Sequence, residues 1–255
     1  MSIEFVLLLI GLFIVSVLYS SVGHGGASGY LAILSLTSYG MVESGWLKQH
    51  VWILNLLVAS IAFYHYRKEG FHNLKLTVPF IIGSIPMAFI GGYMIINSTV
   101  YDILLSVALI WAAWRLFDSI SIKEINTTTI PKISQSLPWG AGIGLFSGVI
   151  GVGGGIFLSP ILLLKKWANP KTVAATSAIF IWVNSFSGLM GATISNQLNL
   201  DLEMLLYFSI VVLIGGFVGS SYGSKIAKQS SIKKILIIVL LIAAMKRIIE
   251  LISIY

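Results

Sequence analysis

Five long intervals of this chain contain no Asp, Glu, Lys or Arg: Glu4 to Glu43, Lys75 to Asp102, Lys132 to Lys165, Lys171 to Asp201, and Glu203 to Lys225. Apolar runs of that length match the thickness of a bilayer's hydrocarbon core, so they predict membrane-spanning helices. Two glycine clusters interrupt these runs. They are Ser21-Val22-Gly23-His24-Gly25-Gly26 and Val149-Ile150-Gly151-Val152-Gly153-Gly154-Gly155. A helix that stops inside a membrane leaves unpaired backbone N–H groups and a positive dipole end. Lipid satisfies neither, whereas an anion or a water-lined cavity satisfies both. Two such breaks predict a transporter with a buried site built from helix ends.

Composition excludes the soluble classes. The chain is 57% hydrophobic and 10% charged, with a mean hydropathy of +0.95, too apolar for a domain with an ordinary charged surface. The net charge of +7 reports basic cytoplasmic loops rather than nucleic-acid binding. Cysteine is absent, which removes disulfides and thiolate metal or redox chemistry. No basic start precedes a small-residue cleavage pattern, so the first apolar run is expected to be retained.

The apolar segments fall at 3–22 with a continuation at 25–38, then at 46–64, 76–96, 101–117, 138–165, 172–195, 202–224 and 233–252. The second half repeats the order of the first. Gly23, Gly25 and Gly26 align with Gly151, Gly153 and Gly154; Asn55 aligns with Asn184; Gly83 and Gly91 with Gly215 and Gly223; Arg115 with Arg247. The polar stretch from Ser119 to Ser136 reads as a linker. The expected division is a first membrane repeat at 1–118, a cytoplasmic linker at 119–137 and a second repeat at 138–255.

Loop charge orients these segments. Arg67, Lys68 and Lys75, then Lys123 and Lys132, then Lys165, Lys166 and Lys171, and finally Lys225, Lys228, Lys233 and Lys234 mark cytoplasmic loops. The loops at Asn97 to Asp102 and Asn196 to Glu203 carry no Lys or Arg and are expected outside. The resulting fold class is an all-α membrane protein of two inverted-topology repeats, each a glycine-broken helical hairpin plus three transmembrane helices. Both termini lie outside, and the binding site lies between the repeats near the midplane. Whether the broken hairpins cross fully or re-enter stays open at this level.

The site residues follow from this arrangement. The short helices after each break would aim their N-termini at the site, which nominates Gly23, His24, Gly25 and Gly26 with Gly151, Gly153, Gly154 and Gly155. Lys48 and Asn55 are two helical turns apart and share a face, with Asn55 about 10 Å deeper; Ser177 and Asn184 repeat the spacing. Polar groups inside a bilayer are costly, so this face is expected to line the site, with Thr176 beside it and Ser28 and Ser159 as subsidiary candidates. His24 suits substrate or a coupling proton, against the plainer role of a neutral hydrogen-bonded ring. His50 invites the same question. Arg115, Lys246 and Arg247 are expected to snorkel at helix ends. The glycine pairs Gly91-Gly92 and Gly215-Gly216 are expected to serve helix packing.

The two glycine motifs, the extension Ile156-Phe157-Leu158-Ser159-Pro160, and Ala174-Ala175-Thr176-Ser177 with Asn184 together resemble the TauE/SafE sulfite exporter family of bacterial permeases. The resemblance runs over essentially the whole chain. It implies a multi-pass protein of the plasma or bacterial inner membrane that moves sulfite, a sulfonate or a similar sulfur-containing anion, with export as the expected direction, no cofactor or metal and no catalytic residue. The partners implied are a small oxyanion and the lipid bilayer, not nucleic acid; the oligomeric state is open, a homodimer being one option. His24 and Lys48-Gln49-His50 depart from the small residues of the family pattern. A small oxyanion suits half-helix N-termini and Asn amides, with Lys48 as the balancing charge. Two other readings use the same residues. One is a passive anion channel; the other is an intramembrane serine protease built on Gly26-Ala27-Ser28-Gly29 with His24 or His50 as base.

Overall fold

The computed structural model describes residues 2–118 and 128–226, and beyond them Leu241, Ile242, Ala244, Met245, Ile248, Ile249 and Ile252, all helical. Lys123, Lys228, Lys233, Lys234, Lys246 and Arg247 fall outside the described residues, as does the side chain of Arg115. The described fold is all helical. The helices are α1 (Ile3–Ser20), α2 (Ala27–Ser35), α3 (Ser44–Lys68), α4 (Leu74–Tyr93), α5 (Ser98–Asp118), α6 (Ile133–Ile150), α7 (Gly155–Leu164), α8 (Pro170–Ile194) and α9 (Leu202–Lys225). A 3₁₀ turn, Ser38–Met41, joins α2 to α3. Helices α1, α3, α4, α8 and α9 are each long and apolar enough to cross a membrane. Helix α6 starts at Ile133, earlier than the apolar segment that begins at 138.

Local chemistry sets the helix starts. The side chains of Asn73, Asn169 and Asp201 accept from first-turn N–H groups of α4, α8 and α9, and Pro170 occupies the first turn of α8. The breaks end α1 and α6 differently from ordinary loops. Gly26 and Gly154 occupy the cap positions of α2 and α7 with φ of 105° and 83°, a conformation open to glycine at little cost.

Two polar contacts fix the course of the broken hairpins. Ser38 N–H donates to Glu4 Oε1 at 2.8 Å, so α2 returns to the end at which α1 begins; this end is termed upper. Thr129 N–H donates to the Lys166 carbonyl at 3.1 Å, so α7 likewise returns to the end at which α6 begins, here the lower. Both hairpins therefore return to the end from which they start; α1 itself runs the depth of the bundle, since the Tyr66 hydroxyl near the lower end of α3 donates to the Ser21 carbonyl at 2.9 Å. The starts of α3 and α9 and the ends of α4 and α8 meet at the upper end, where Gln197 Nε2 donates to the Tyr93 carbonyl at 2.9 Å. The ends of α3 and α9 meet at the lower, where the His65 ring and Ser220 Oγ lie 2.7 Å apart.

Helices α3 and α8 pack together at the centre and carry the longest buried faces. Around them α4 packs on α6 and α8, while α9 packs on α1 and α3. Small residues permit the approach: a Cβ at Gly215 would meet the Phe13 carbonyl at 2.8 Å, and one at Gly91 the Leu145 carbonyl at 2.5 Å. Outward faces carry exposed Leu, Ile, Val, Phe and Trp, as contact with lipid requires.

Candidate functional site

The two glycine breaks converge on one asparagine. A Cβ built on Gly25 would stand 2.6 Å from Asn55 Oδ1 and 2.9 Å from Ile181 Cγ2. A Cβ built on Gly153 would stand 2.7 Å from Asn55 Nδ2 and 2.8 Å from the same Ile181 methyl. Residues widely separated in sequence thus meet at the middle of α3 and α8, with no room for any side chain on either glycine. The N-termini of α2 and α7 reach this point on chains that return to opposite ends of the bundle.

Asn55 and Asn184 are fully buried. Asn55 Nδ2 donates to Ser185 Oγ at 3.1 Å, and Asn184 Nδ2 donates to the Gly153 carbonyl at 3.3 Å. Among the described residues, Asn55 Oδ1, Asn184 Oδ1 and Trp52 Nε1 have no hydrogen-bond partner within the protein. Buried polar atoms are normally paired; Tyr30, His72, Ser106 and Ser147 each leave one unpaired elsewhere among the described residues, whereas here three lie on the facing helices α3 and α8.

Lys48 lies two turns above Asn55 on the same face of α3. It is 3% exposed, its ammonium sits 5.9 Å from the centroid of the Trp52 ring, and among the described residues no carboxylate pairs with it. Its stem crosses the second break, where a Cβ on Gly151 would be 3.0 Å from Lys48 Cγ. Lys48 also borders an upper vestibule of about 490 Å³, lined in addition by Glu43, Ser44, Asn196, Gln197 and Asn199. A lower vestibule of about 600 Å³ is lined by Arg67, His72, Asn73, Lys75 and Thr172. There the His72 ring is held below the usual imidazole range, first by burial and then by the Arg67 charge.

His24 belongs to a chain of hydroxyls. Its Nδ1 is 3.0 Å from the Val22 carbonyl, its Nε2 is 3.0 Å from Ser159 Oγ, and Ser159 Oγ is 2.7 Å from Ser177 Oγ. A carbonyl only accepts, so Nδ1 carries a proton, and in the neutral ring Nε2 accepts from Ser159, which accepts from Ser177. This chain ties the first break to α7 and α8. Gly23 packs on Ala174, and Gly155 lies beside Ile181 with Ser177 Cβ 3.4 Å from its virtual Cβ. Gly26 faces the Tyr30 ring and Gly154 faces Phe180 and Asn184.

Thr176 does not join the group around Asn55 and Asn184: its hydroxyl faces Thr77 at 3.3 Å across the α4–α8 contact. Ser28 Oγ pairs with the Tyr19 hydroxyl at 2.9 Å. His50 serves the upper loop, with Nδ1 donating to the Trp46 carbonyl at 2.8 Å and Nε2 accepting from Asp201 N–H at 3.0 Å. Gln49 grips the same loop, donating to the Gln197 carbonyl and accepting from Asn199 N–H, both at 2.6 Å. The departures Gln49 and His50 therefore hold the loop that lines the upper vestibule together with Lys48.

Sequence reasoning missed Trp52, Ile181 and Ser185. Trp52 stands four residues after Lys48 and three before Asn55, so the stripe that nominated those two also contained it. Ser185 follows Asn184 directly and had no periodic signal of its own.

A bundle of apolar spans with two broken helical hairpins meeting at buried polar side chains defines a polytopic membrane transporter. The chain matches the family described as sulfite exporter TauE/SafE over residues 7–247, and it belongs to that family. It is 33% identical over 250 residues to a probable membrane transporter protein of Sinorhizobium fredii, covering 96% of this chain and 99% of that protein. A probable membrane transporter protein of Bacillus subtilis is 23% identical over 201 residues, covering 71% and 70%. One of Methanocaldococcus jannaschii is 27% identical over 198 residues, covering 74% and 73%. No solved structure matches the chain. The protein is a multi-pass cell-membrane transporter of a small molecule, not an enzyme, and the protease reading is set aside.

Proposed function

We propose that this protein is a secondary transporter that exports a small sulfur-containing anion, sulfite or a sulfonate, through a site between two inverted repeats, 1–118 and 138–255, joined by the linker 119–137. The observation that carries the anion is Lys48, a buried ammonium lying against the Gly151 break without a carboxylate partner among the described residues. A buried cation of this kind is costly until an anion joins it. The N-terminal amides near Gly25-Gly26 and Gly153-Gly154 and the Trp52 N–H supply donors, and Asn55 and Asn184 flank the substrate. The family description points to sulfur oxyanions.

Inversion is supported by the exchange of partners between halves: α4 packs on α6 and α8 as α9 packs on α1 and α3. The lower end carries Arg67, Lys68, Lys75, Lys165, Lys166 and Lys171, so we assign it to the cytoplasm and the upper end to the outside. Burial of Asn55 and Asn184 from both vestibules favours a carrier over an open channel.

Purified protein reconstituted in vesicles tests the proposal. Sulfite, sulfate, thiosulfate and small sulfonates are titrated for binding, then followed for accumulation against a gradient. Absence of binding by all of them overturns the anion site, and movement only down a gradient converts the carrier into a channel.

A further inference from the structure

Hydrogen-bond bookkeeping at the asparagines carries the substrate assignment one step further, and it rests on the anion-site reading above. Asn184 Nδ2 faces the Gly153 carbonyl at 3.3 Å. That carbonyl only accepts, so the amide cannot be turned over without setting oxygen against oxygen. Asn184 Oδ1 is thereby committed as an acceptor, in a fully buried residue, with no donor among the described residues. Asn55 differs, because its partner Ser185 Oγ at 3.1 Å can donate or accept and leaves that amide free to present either edge. The two asparagines are chemically unequal.

We infer that the transported anion carries a hydrogen-bond donor of its own, a monoanion bearing an O–H group, which donates to Asn184 Oδ1 while its charged oxygens face Lys48. A fully deprotonated oxyanion presents only lone pairs and would meet the fixed amide oxygen with repulsion. A monoanion also matches the single ammonium supplied by Lys48. The same acceptor that welcomes an O–H is left unpaired by an analogue lacking it, and a site built to hydrogen-bond a hydroxyl rejects such analogues strongly.

Two sulfonates isolate this feature: hydroxyethanesulfonate and propanesulfonate are both monoanions of nearly equal length, differing in one terminal O–H against CH₃. Full-length purified protein is titrated directly with each at one neutral pH, with sulfite as reference. The hydroxylated anion should bind at least about tenfold more tightly. In Asn184→Leu that ratio should fall to about one, and Asn184→Ala provides the same comparison if the leucine variant does not fold. Sulfite binding with no difference between the two sulfonates in the wild type overturns the donor inference alone. A preference that survives loss of Asn184 also overturns it. Failure of sulfite and both sulfonates to bind overturns the anion site itself, and this inference with it.

Discussion

Lys48 crosses the second glycine break at Gly151, with its Cγ only 3.0 Å from where a Cβ on that glycine would stand. This contact joins the one buried cation of α3 to the break that leads into the half-helix beginning at Gly155. Removing a positive partner from a partly dry anion site costs about 2–5 kcal/mol, whereas removing one neutral amide costs about 1–2 kcal/mol. Lys48→Gln is therefore expected to weaken anion binding more than Asn55→Ala or Asn184→Ala. Direct titration of the three purified variants decides it; normal binding by Lys48→Gln removes the charge-balance role.

Glycine at the breaks is required by space as much as by backbone angle. Gly25→Leu and Gly153→Leu each drive a side chain into Asn55 and Ile181. Transport is expected to be lost while much of the protein remains folded in the membrane, because the collision is confined to the meeting point of the half-helices. Transport assays beside a folding measurement such as size-exclusion behaviour in detergent check this. Wild-type transport by both variants would show that the meeting point tolerates closure.

The assigned sidedness has a direct chemical readout, since the chain has no native cysteine. Lys68 and Lys166 are exposed at the lower end, and Asn97 and Asn199 at the upper. Single cysteines at 68 and 166 should react with impermeant maleimides only from the cytoplasm, and those at 97 and 199 only from outside. Labelling of 97 and 199 solely from inside would reverse the assigned orientation.

Gln49 ties the upper loop through two backbone contacts at 2.6 Å, one in each direction. Loss of such a buried pair costs about 1–2 kcal/mol locally. Gln49→Ala should raise amide hydrogen exchange across 196–201 and increase the accessibility of a cysteine probe at position 198, with little change at the lower loop 69–73. Unchanged exchange in 196–201 would mean that His50 and the Tyr93 contact suffice to hold the loop.

Several features of this protein are determined by the sequence alone, for identifiable physical reasons. Charge-free runs must be helices in lipid because backbone groups there can be satisfied only within the segment, and α1 with α2, α4, α6 with α7, α8 and α9 follow the five runs, whereas α3 carries Lys48 inside a span of its own. Clusters of three or four glycines inside such runs must interrupt a helix, and both do so, at Gly23–Gly26 and Gly151–Gly154. Helical periodicity put Lys48 and Asn55 on one face, a relationship that depends only on residue spacing. Other features were decided by tertiary structure. Gly25 and Gly153 share Asn55, Thr176 turns to Thr77, and His24 reaches Ser159, because each contact joins segments far apart in the chain. The course of the hairpins is of the same kind: a break announces a turn, but only the Ser38–Glu4 and Thr129–Lys166 contacts show to which end the chain returns. Even the unequal hydrogen-bonding freedom of the two asparagines depends on whether the facing atom is a hydroxyl or a carbonyl. That atom is chosen by the packing of α3 and α8 against the breaks, not by any local pattern in the sequence.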